Sequence, residues 1–341
     1  MSANETALPV RPPRILPVRE IASRSAIFLL LGALVILFQL EEPAFLNLGN
    51  LFSILQAVSI TALLGVGITV TLAVGGFDLS AGSMAAFSQM AASYVLVVLQ
   101  GSTLDAVIFC LIVGAAVGLF NAALIVLVGI PDLLATLGTL FLLVGLELIP
   151  SGGRSIATGA ILPGGITAKG SFPGDFLALG RLHLGGLVPL PVIILAVVAL
   201  VVWFVMERTR WGRVFYAIGG NEVAARLAGA PTRRYRAAAY VISGTIAALG
   251  GVLLAARIGR GDVSAGNSLL LDSVAAALIG YAVLGVNHPN VFGTVVGAIF
   301  VGVLLNGLTM LNAPYYTQDF VKGAVLVGAL AITFGLRRKR S

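Results

Sequence analysis

Apolar stretches of about 20 residues, each closed by a short polar or Gly/Pro-containing segment, repeat along almost the whole chain. A helix rises about 1.5 Å per residue and the hydrocarbon core of a bilayer is about 30 Å thick, so a stretch of this length can span it. The pattern predicts about ten spans, near 25–40, 51–74, 81–99, 104–129, 131–150, 188–206, 237–257, 268–286, 291–310 and 319–336. The first follows a basic stretch, as a cleavable signal would. It is succeeded by Glu41-Glu42-Pro43-Ala44-Phe45, with no small-residue cleavage site, and so reads as a retained span. The expected fold class is an all-α polytopic membrane protein with broken or re-entrant segments. Its parts are a cytoplasmic tail over 1–24, one transmembrane domain over 25–336 and a basic tail over 337–341.

Composition supports the pattern. Hydrophobic residues make up 58% of the 341 and charged residues 10%, with mean hydropathy +1.04. A soluble domain carries about 25% charged residues, so a soluble enzyme, a disordered tail and a disulfide scaffold are excluded. The single Cys110 has no internal partner. The net charge of +7 could indicate nucleic acid, but its placement indicates topology instead. Four of the 21 basic residues precede residue 25, seven lie in 207–236 and four end the chain as Arg337-Arg338-Lys339-Arg340. The positive-inside rule assigns all three segments to the cytoplasm, and the spans between them number six and four, both even. Trp203 and Trp211 flank the inner end of the sixth span. Arg257 and Arg260 fall on the outer side against the rule. Only 151–187 outside and 207–236 inside have room for more than a turn.

Several chemistries are missing. No Gly-Lys pair occurs, hence no P-loop to cradle a nucleotide phosphate. His183 and His288 stand far apart and no Cys/His cluster or H-E-x-x-H exists, so no metal site is expected. No nucleophile elbow of the G-x-S-x-G kind is present. Uphill transport would need an ion gradient or a separate ATPase.

The cytoplasmic segment carries the strongest local signal. Gly219-Gly220 should break the chain, and Asn221 is a good N-cap because its side chain accepts from an unpaired backbone N–H. Glu222 then lies at the positive end of the helix dipole and Arg226 near the negative end. Gly229 suits the left-handed position after a helix, and Pro231 prevents continuation. Residues 222–228 are thus predicted as a two-turn helix capped at both ends. So short a helix is unstable alone and must pack on lipid or on a partner.

The run from Thr209 through Trp211-Gly212-Arg213 and Ala217-Ile218-Gly219-Gly220-Asn221 to Ala224-Ala225-Arg226-Leu227-Ala228-Gly229 resembles the cytoplasmic signature of ribose-type permeases. These are membrane subunits of bacterial ABC sugar importers, within the branched-chain amino acid and sugar permease superfamily. Glu222, Ala224, Ala225 and Gly229 also resemble the E-A-A…G loop that contacts the ATPase. Gly75-Gly76-Phe77-Asp78-Leu79-Ser80-x-Gly82-Ser83 is similar to the family's G-G-I-D-L-S-V-G-S. Pro131…Ala135-Thr136-Leu137-Gly138, Leu271-Asp272 and Asn306-Gly307-Leu308 match further motifs, as do Gln318 and Lys322-Gly323. The stretch Gly280…Gly285…His288-Pro289 departs from the family's Gly-Gly-Thr-Ser and second Gly-Gly turn.

The resemblance implies a permease subunit in the bacterial inner membrane, termini inside, forming the passage for a sugar or sugar-like solute. It also implies a two-fold dimer with a second permease copy, an ABC ATPase that binds the ATP-Mg, and a periplasmic or lipid-anchored substrate-binding protein. The chain itself would need no cofactor, and lipids would be its other partner. Coupling to the ATPase would fall on Gly219, Gly220, Asn221, Glu222, Ala224, Ala225, Arg226 and Gly229. Pentose, hexose, sugar alcohol, nucleoside and furanosyl signalling molecule all stay open as solutes. An ion-coupled secondary transporter is the alternative, with Asp78 and Glu147 as its titratable groups.

Polar residues within spans complete the candidates. A charge near the bilayer centre costs at least about 2.5–3.5 kcal/mol, so Asp78 should face protein, water or solute. Flanked by Gly75-Gly76 and Gly82, it should sit in a broken helix, which membranes tolerate only in protein or along a cavity. Asp78 either caps the third helix, the favoured reading, or accepts from solute hydroxyls. Phe77, Ser80, Ser83, Thr136 and Asn306 are the other candidates for the passage wall. Asn121 and Asn306 read first as ties to neighbouring helices, Asp132 as a first-turn cap, and Asp272 with Lys322 as a pair across late spans. Gly114/Gly118 and Gly293/Gly297 have the spacing for close helix packing.

Overall fold

The computed structural model describes residues 18–283, 288–314, 316–324 and 327–328. The predicted N-terminal tail as far as residue 17, the basic 337–340 and most of the last predicted span lie outside the described residues, as do 284–287 of the divergent turn. The described residues are overwhelmingly helical. In order, α1 is Val18–Glu41, α2 Leu48–Ala73, α3 Ala81–Val97, α4 Thr103–Ala122 and α5 Asp132–Ser151. There follow α6 (Gly174–Arg181), α7 (Leu190–Arg208), α8 (Arg210–Gly220), α9 (Glu222–Leu227), α10 (Thr232–Ile258), α11 (Ala265–Val283) and α12 (Val291–Met310). Six described segments are long and apolar enough to cross a membrane: α2, α4 with its extension to Val128, α5, α7, α10 and α12.

Local chemistry sets the ends. Asn47 caps α2 by accepting from Gly49 N–H. Ser102 and Asp105 form a reciprocal capping box on α4, each satisfying a donor that the first turn leaves unpaired. A π-helical extension, Ala123–Val128, stops at Gly129, whose φ of 85° favours glycine.

The core is built around α10, which packs on α2, α3 and α4. Added Cβ atoms show how close these backbones lie. One on Gly118 would stand 2.4 Å from Tyr240 O, and one on Gly114 2.6 Å from Gly244 O. Between α11 and α12 the same holds for Gly297 against Ala276 O, at 2.2 Å. Both glycine pairs are therefore packing devices, as their spacing suggested. In α3 every residue except Phe87, Ala91 and Tyr94 is buried.

The structure fills in one segment and changes two expectations. The segment 151–187 is folded: β1 (Ile161–Leu162) pairs antiparallel with β2 (Ile166–Thr167), α6 follows, and β3 (His183–Leu184) pairs with β4 (Val188–Pro189). It is seated on the end of α10, where Arg181 Nε donates to Arg257 O at 2.9 Å and Ile156 bridges Gly261. First, Gly219 and Gly220 do not break the chain; they are the last residues of α8, and the turn falls at Asn221. Second, α10 starts at Thr232 rather than 237, so its first two turns carry Arg233, Arg234 and Arg236.

Candidate functional site

Two features meet at one end of the bundle: the break between α2 and α3, and the α8–α9 segment. The backbone leaves α2 at Ala73 and turns through Gly75, whose φ is 76°. Asp78 follows, 1% exposed, and its carboxylate is fully occupied. Oδ1 accepts from Ser80 N–H at 2.9 Å and from Ser80 Oγ at 2.6 Å, and Oδ2 accepts from Ser243 Oγ of α10 at 2.7 Å. The network continues outward. Asn121 Nδ2 of α4 donates to Ser80 Oγ at 2.9 Å, and Thr139 Oγ1 of α5 donates to Asn121 Oδ1 at 2.6 Å. Ser83 Oγ donates to Ser80 O at 2.9 Å.

A broken helix leaves backbone groups without partners. Here Thr136, buried on α5, supplies one: its Oγ1 accepts from Leu79 N–H at 3.2 Å while its proton goes to Asp132 O at 2.8 Å, closer than Phe77 O at 3.3 Å. Asp78 therefore does not cap α3, whose N-cap is Ser80 without a side-chain cap bond; it closes the turn just before the helix by accepting from Ser80 N–H, while Asn121 ties helices as expected. Phe77 is half-buried. Of the sequence candidates, Asp78, Ser80, Ser83, Thr136 and Phe77 come together. Asn306 does not: it exchanges hydrogen bonds with Asn50 at 3.0 and 2.9 Å, tying α12 to the opposite end of α2. Lys322 pairs with Asp272 at 3.2 Å, as the sequence suggested, and also with Asp319 at 2.9 Å.

The second feature begins at Thr209, which caps α8 by accepting from Trp211 N–H at 3.1 Å. Phe215 and Ile218 are buried while Trp211 is exposed. Tyr216 Oη lies 2.9 Å from Glu207 and 3.0 Å from Pro289 O, anchoring α8. Burial, reinforced by Glu207, pushes the ionisation of that hydroxyl well above the usual tyrosine range. Asn221 caps α9 by accepting from Ala224 N–H at 3.0 Å, and Gly229 has φ 85°, so the predicted helix exists with its predicted caps. Ala225 packs inward, while Val223 and Leu227 are exposed.

The α8–α9 segment touches the break. A Cβ on Gly219 would lie 2.3 Å from Ala73 O, and one on Gly75 3.4 Å from the Gly219 Cα. Arg236 completes the join. Its Nη1 donates to Glu222 Oε2 of α9 at 3.2 Å and its Nη2 to Asp132 Oδ1 of α5 at 2.7 Å. The Asp132 carboxylate in turn faces Gly76 of the break, where a Cβ would be 2.6 Å from Oδ2 and 2.3 Å from Tyr240 Oη. Sequence reading took Arg236 only as topogenic charge and Asp132 only as a cap. Their pairing spans 104 residues, beyond the reach of any local pattern. A cation and an anion at the same end of two spans was the available signal. Among the described residues no group of His, Cys, Asp and Glu could hold a metal ion.

A bundle of apolar helices, interrupted by a buried polar break and carrying a short capped helix against that break, defines a polytopic membrane permease. Residues 50–330 match the model described as branched-chain amino acid transport system / permease component, and the chain belongs to that family. It is 34% identical over 291 residues to the ribose import permease protein RbsC of Escherichia coli (strain K12), covering 85% of this chain and 87% of that protein. It is 33% identical over 318 residues to RbsC of Bacillus subtilis (strain 168), with 92% of each covered. To the D-allose transport system permease protein AlsC of Escherichia coli (strain K12) it is 31% identical over 306 residues, or 89% of this chain and 90% of the other.

Proposed function

We propose that this chain is the membrane subunit of a bacterial ABC importer for a sugar or sugar-like polar solute, driven by a separate ATPase. The observation that carries the reading is the Arg236 bridge. One guanidinium holds Glu222 on the short capped helix and Asp132 at the start of α5, beside the break. A push on α9 therefore reaches α5 and the α2–α3 break through charge-assisted bonds, which are about twice as strong as neutral ones. Residues 219–229 serve as the coupling element, with Asn221 and Gly229 fixing the ends of α9 and Leu227 meeting the ATPase. Asp78, Ser80, Ser83 and Thr136 hold the break in shape, Phe77 stands nearest the passage, and Asn306 acts as a helix tie.

In this reading the chain crosses the inner membrane about ten times, with both termini and α8–α9 in the cytoplasm. The folded 151–189 segment then faces the substrate-binding protein, and a second copy of the permease completes the complex; ATP-Mg sits in the ATPase. The ion-coupled alternative needs two titratable groups acting together. Asp78 precedes α3 whereas Glu147 adjoins Tyr94 near the far end of α3, so most of a helix length separates them.

The test is the energy source. In cells whose only copy of the system carries this chain, uptake across a panel of labelled sugars and nucleosides is followed after protonophore addition with ATP held constant, then after ATP depletion. Uptake that survives the first and fails in the second is expected. Loss on protonophore addition alone would assign the chain to ion-coupled transport.

A further inference from the structure

At the end of the bundle opposite the coupling segment, α3, α4 and α5 enclose a cavity of about 570 Å³. The three residues of α3 that escape burial, Phe87, Ala91 and Tyr94, form a single helical stripe, and all three line it. Its polar groups occupy one level only. Tyr94 lies within a turn of the end of α3, Asp105 within a turn of the start of α4 and Glu147 near the end of α5. Deeper in the membrane the walls are apolar, with Phe87 and Ile112 among them. Glu147 is 5% exposed, and its Oε2 has no hydrogen-bond partner. A buried carboxylate oxygen without a donor is costly, and a donor brought by a ligand would remove that cost.

We propose that this cavity binds one phospholipid of the outer leaflet through a primary ammonium head group, phosphatidylethanolamine being the matching chemistry. An acyl chain enters between the apolar walls while the head stays at the acidic level. The wall residues Ile108, Phe109 and Ile112 of α4 have exposed apolar side chains, so the mouth opens on the apolar flank rather than towards water. A polyhydroxylated solute would find polar groups at that one level only, where Asp105 is already engaged by Ser102, and hydrocarbon elsewhere. A primary ammonium offers N–H donors to Glu147, whereas a trimethylammonium head offers none and an anionic head is repelled. The leaflet follows from the orientation proposed above; binding itself does not depend on it or on transport.

The experiment is mass spectrometry of the intact permease released from nanodiscs of equimolar phosphatidylethanolamine, phosphatidylcholine and phosphatidylglycerol. The wild type is expected to retain one phosphatidylethanolamine per chain, with about a tenfold preference over phosphatidylcholine, as a charge-assisted bond warrants. Glu147→Gln should lose the head-group preference and keep retention of lipid as such, while Ala91→Phe, which fills the cavity, should lose retention altogether. Unfolding temperatures within a few degrees of wild type establish that both variants are folded; if either is not, Glu147→Met, which also removes the carboxylate, and Ala91→Leu take their places. Equal retention of all three lipids by the wild type, or an unchanged preference in Glu147→Gln, overturns the proposal. So does disulfide cross-linking between cysteines at 109 in two chains, which would assign this face to a second copy.

Discussion

Asp78 spends its two carboxylate oxygens on three donors, and the chemistry of each bond determines how a substitution behaves. In Asp78→Asn the amide oxygen still accepts from Ser80, and the new N–H₂ meets Ser243 Oγ, which accepts as readily as it donates. Uptake within about twofold of wild type at normal abundance is expected, since an Asn side chain closes the same turn onto the N–H two residues on. Asp78→Ala leaves the buried Ser80 and Ser243 hydroxyls without their acceptor, at about 1–3 kcal/mol each, so membrane abundance and thermal midpoint should both fall. Strongly reduced uptake by Asp78→Asn at full abundance would instead mean that the charge itself contacts solute. Two neighbouring glycines give a second, internally controlled comparison. Gly219→Ala drives a Cβ to 2.3 Å from Ala73 O, whereas Gly220→Ala meets nothing within 4 Å. The first should abolish stimulation of the assembled ATPase; the second, which removes a helical glycine costing about 1 kcal/mol, should leave it intact. Equal effects of the two would show that contact between α8 and the break is immaterial.

At the scale of elements, α9 is six residues long and depends on its caps and on Arg236. Leu227 on its outer face is 84% exposed, a large apolar side chain with no covering in the isolated chain. Leu227→Asp is expected to reduce co-purification of the ATPase while leaving permease abundance unchanged; undiminished co-purification would move the docking face elsewhere. The caps of α9 were legible because they are written in adjacent residues: an acceptor at Asn221, a dipole-matched Glu222 and a left-handed Gly229. Six of the ten predicted apolar runs were legible for a similar reason, since length and hydropathy alone decide them. α8 was not. Its terminal glycines read as a break, and only the packing of Phe215 and Ile218 beneath it shows why the helix continues. The hairpins in 151–189 escaped as well, because two-residue strands carry too little alternation to register against recurrent Gly and Pro. Arg236 with Asp132, and Ser243 with Asp78, join helices distant in sequence. Residue type foretold that such groups must be satisfied, but not by which partner.

For the molecule as a whole, the distribution of basic residues predicts that α8–α9 lies inside and the 151–189 segment outside. Cysteines at the exposed positions 223 and 169 test this with little background, since the native Cys110 is buried. Position 169 should react with an impermeant thiol reagent in intact cells and position 223 only after lysis; the reverse pattern would invert the topology. The bridge from α9 through Arg236 to Asp132 makes a further demand on the assembled importer. Without it, movement of α9 should no longer reach α5 and the break, even though ATP is still hydrolysed. The most direct measurement is therefore the amount of solute transported per ATP hydrolysed in proteoliposomes holding the permease, its ATPase and its loaded binding protein. Arg236→Met should lower that ratio about tenfold, as the loss of about 1.4 kcal/mol of coupling would, with ATPase activity retained. Arg233→Met, on the same helix and exposed, should leave the ratio unchanged. An unaltered ratio in Arg236→Met would contradict coupling through this bridge.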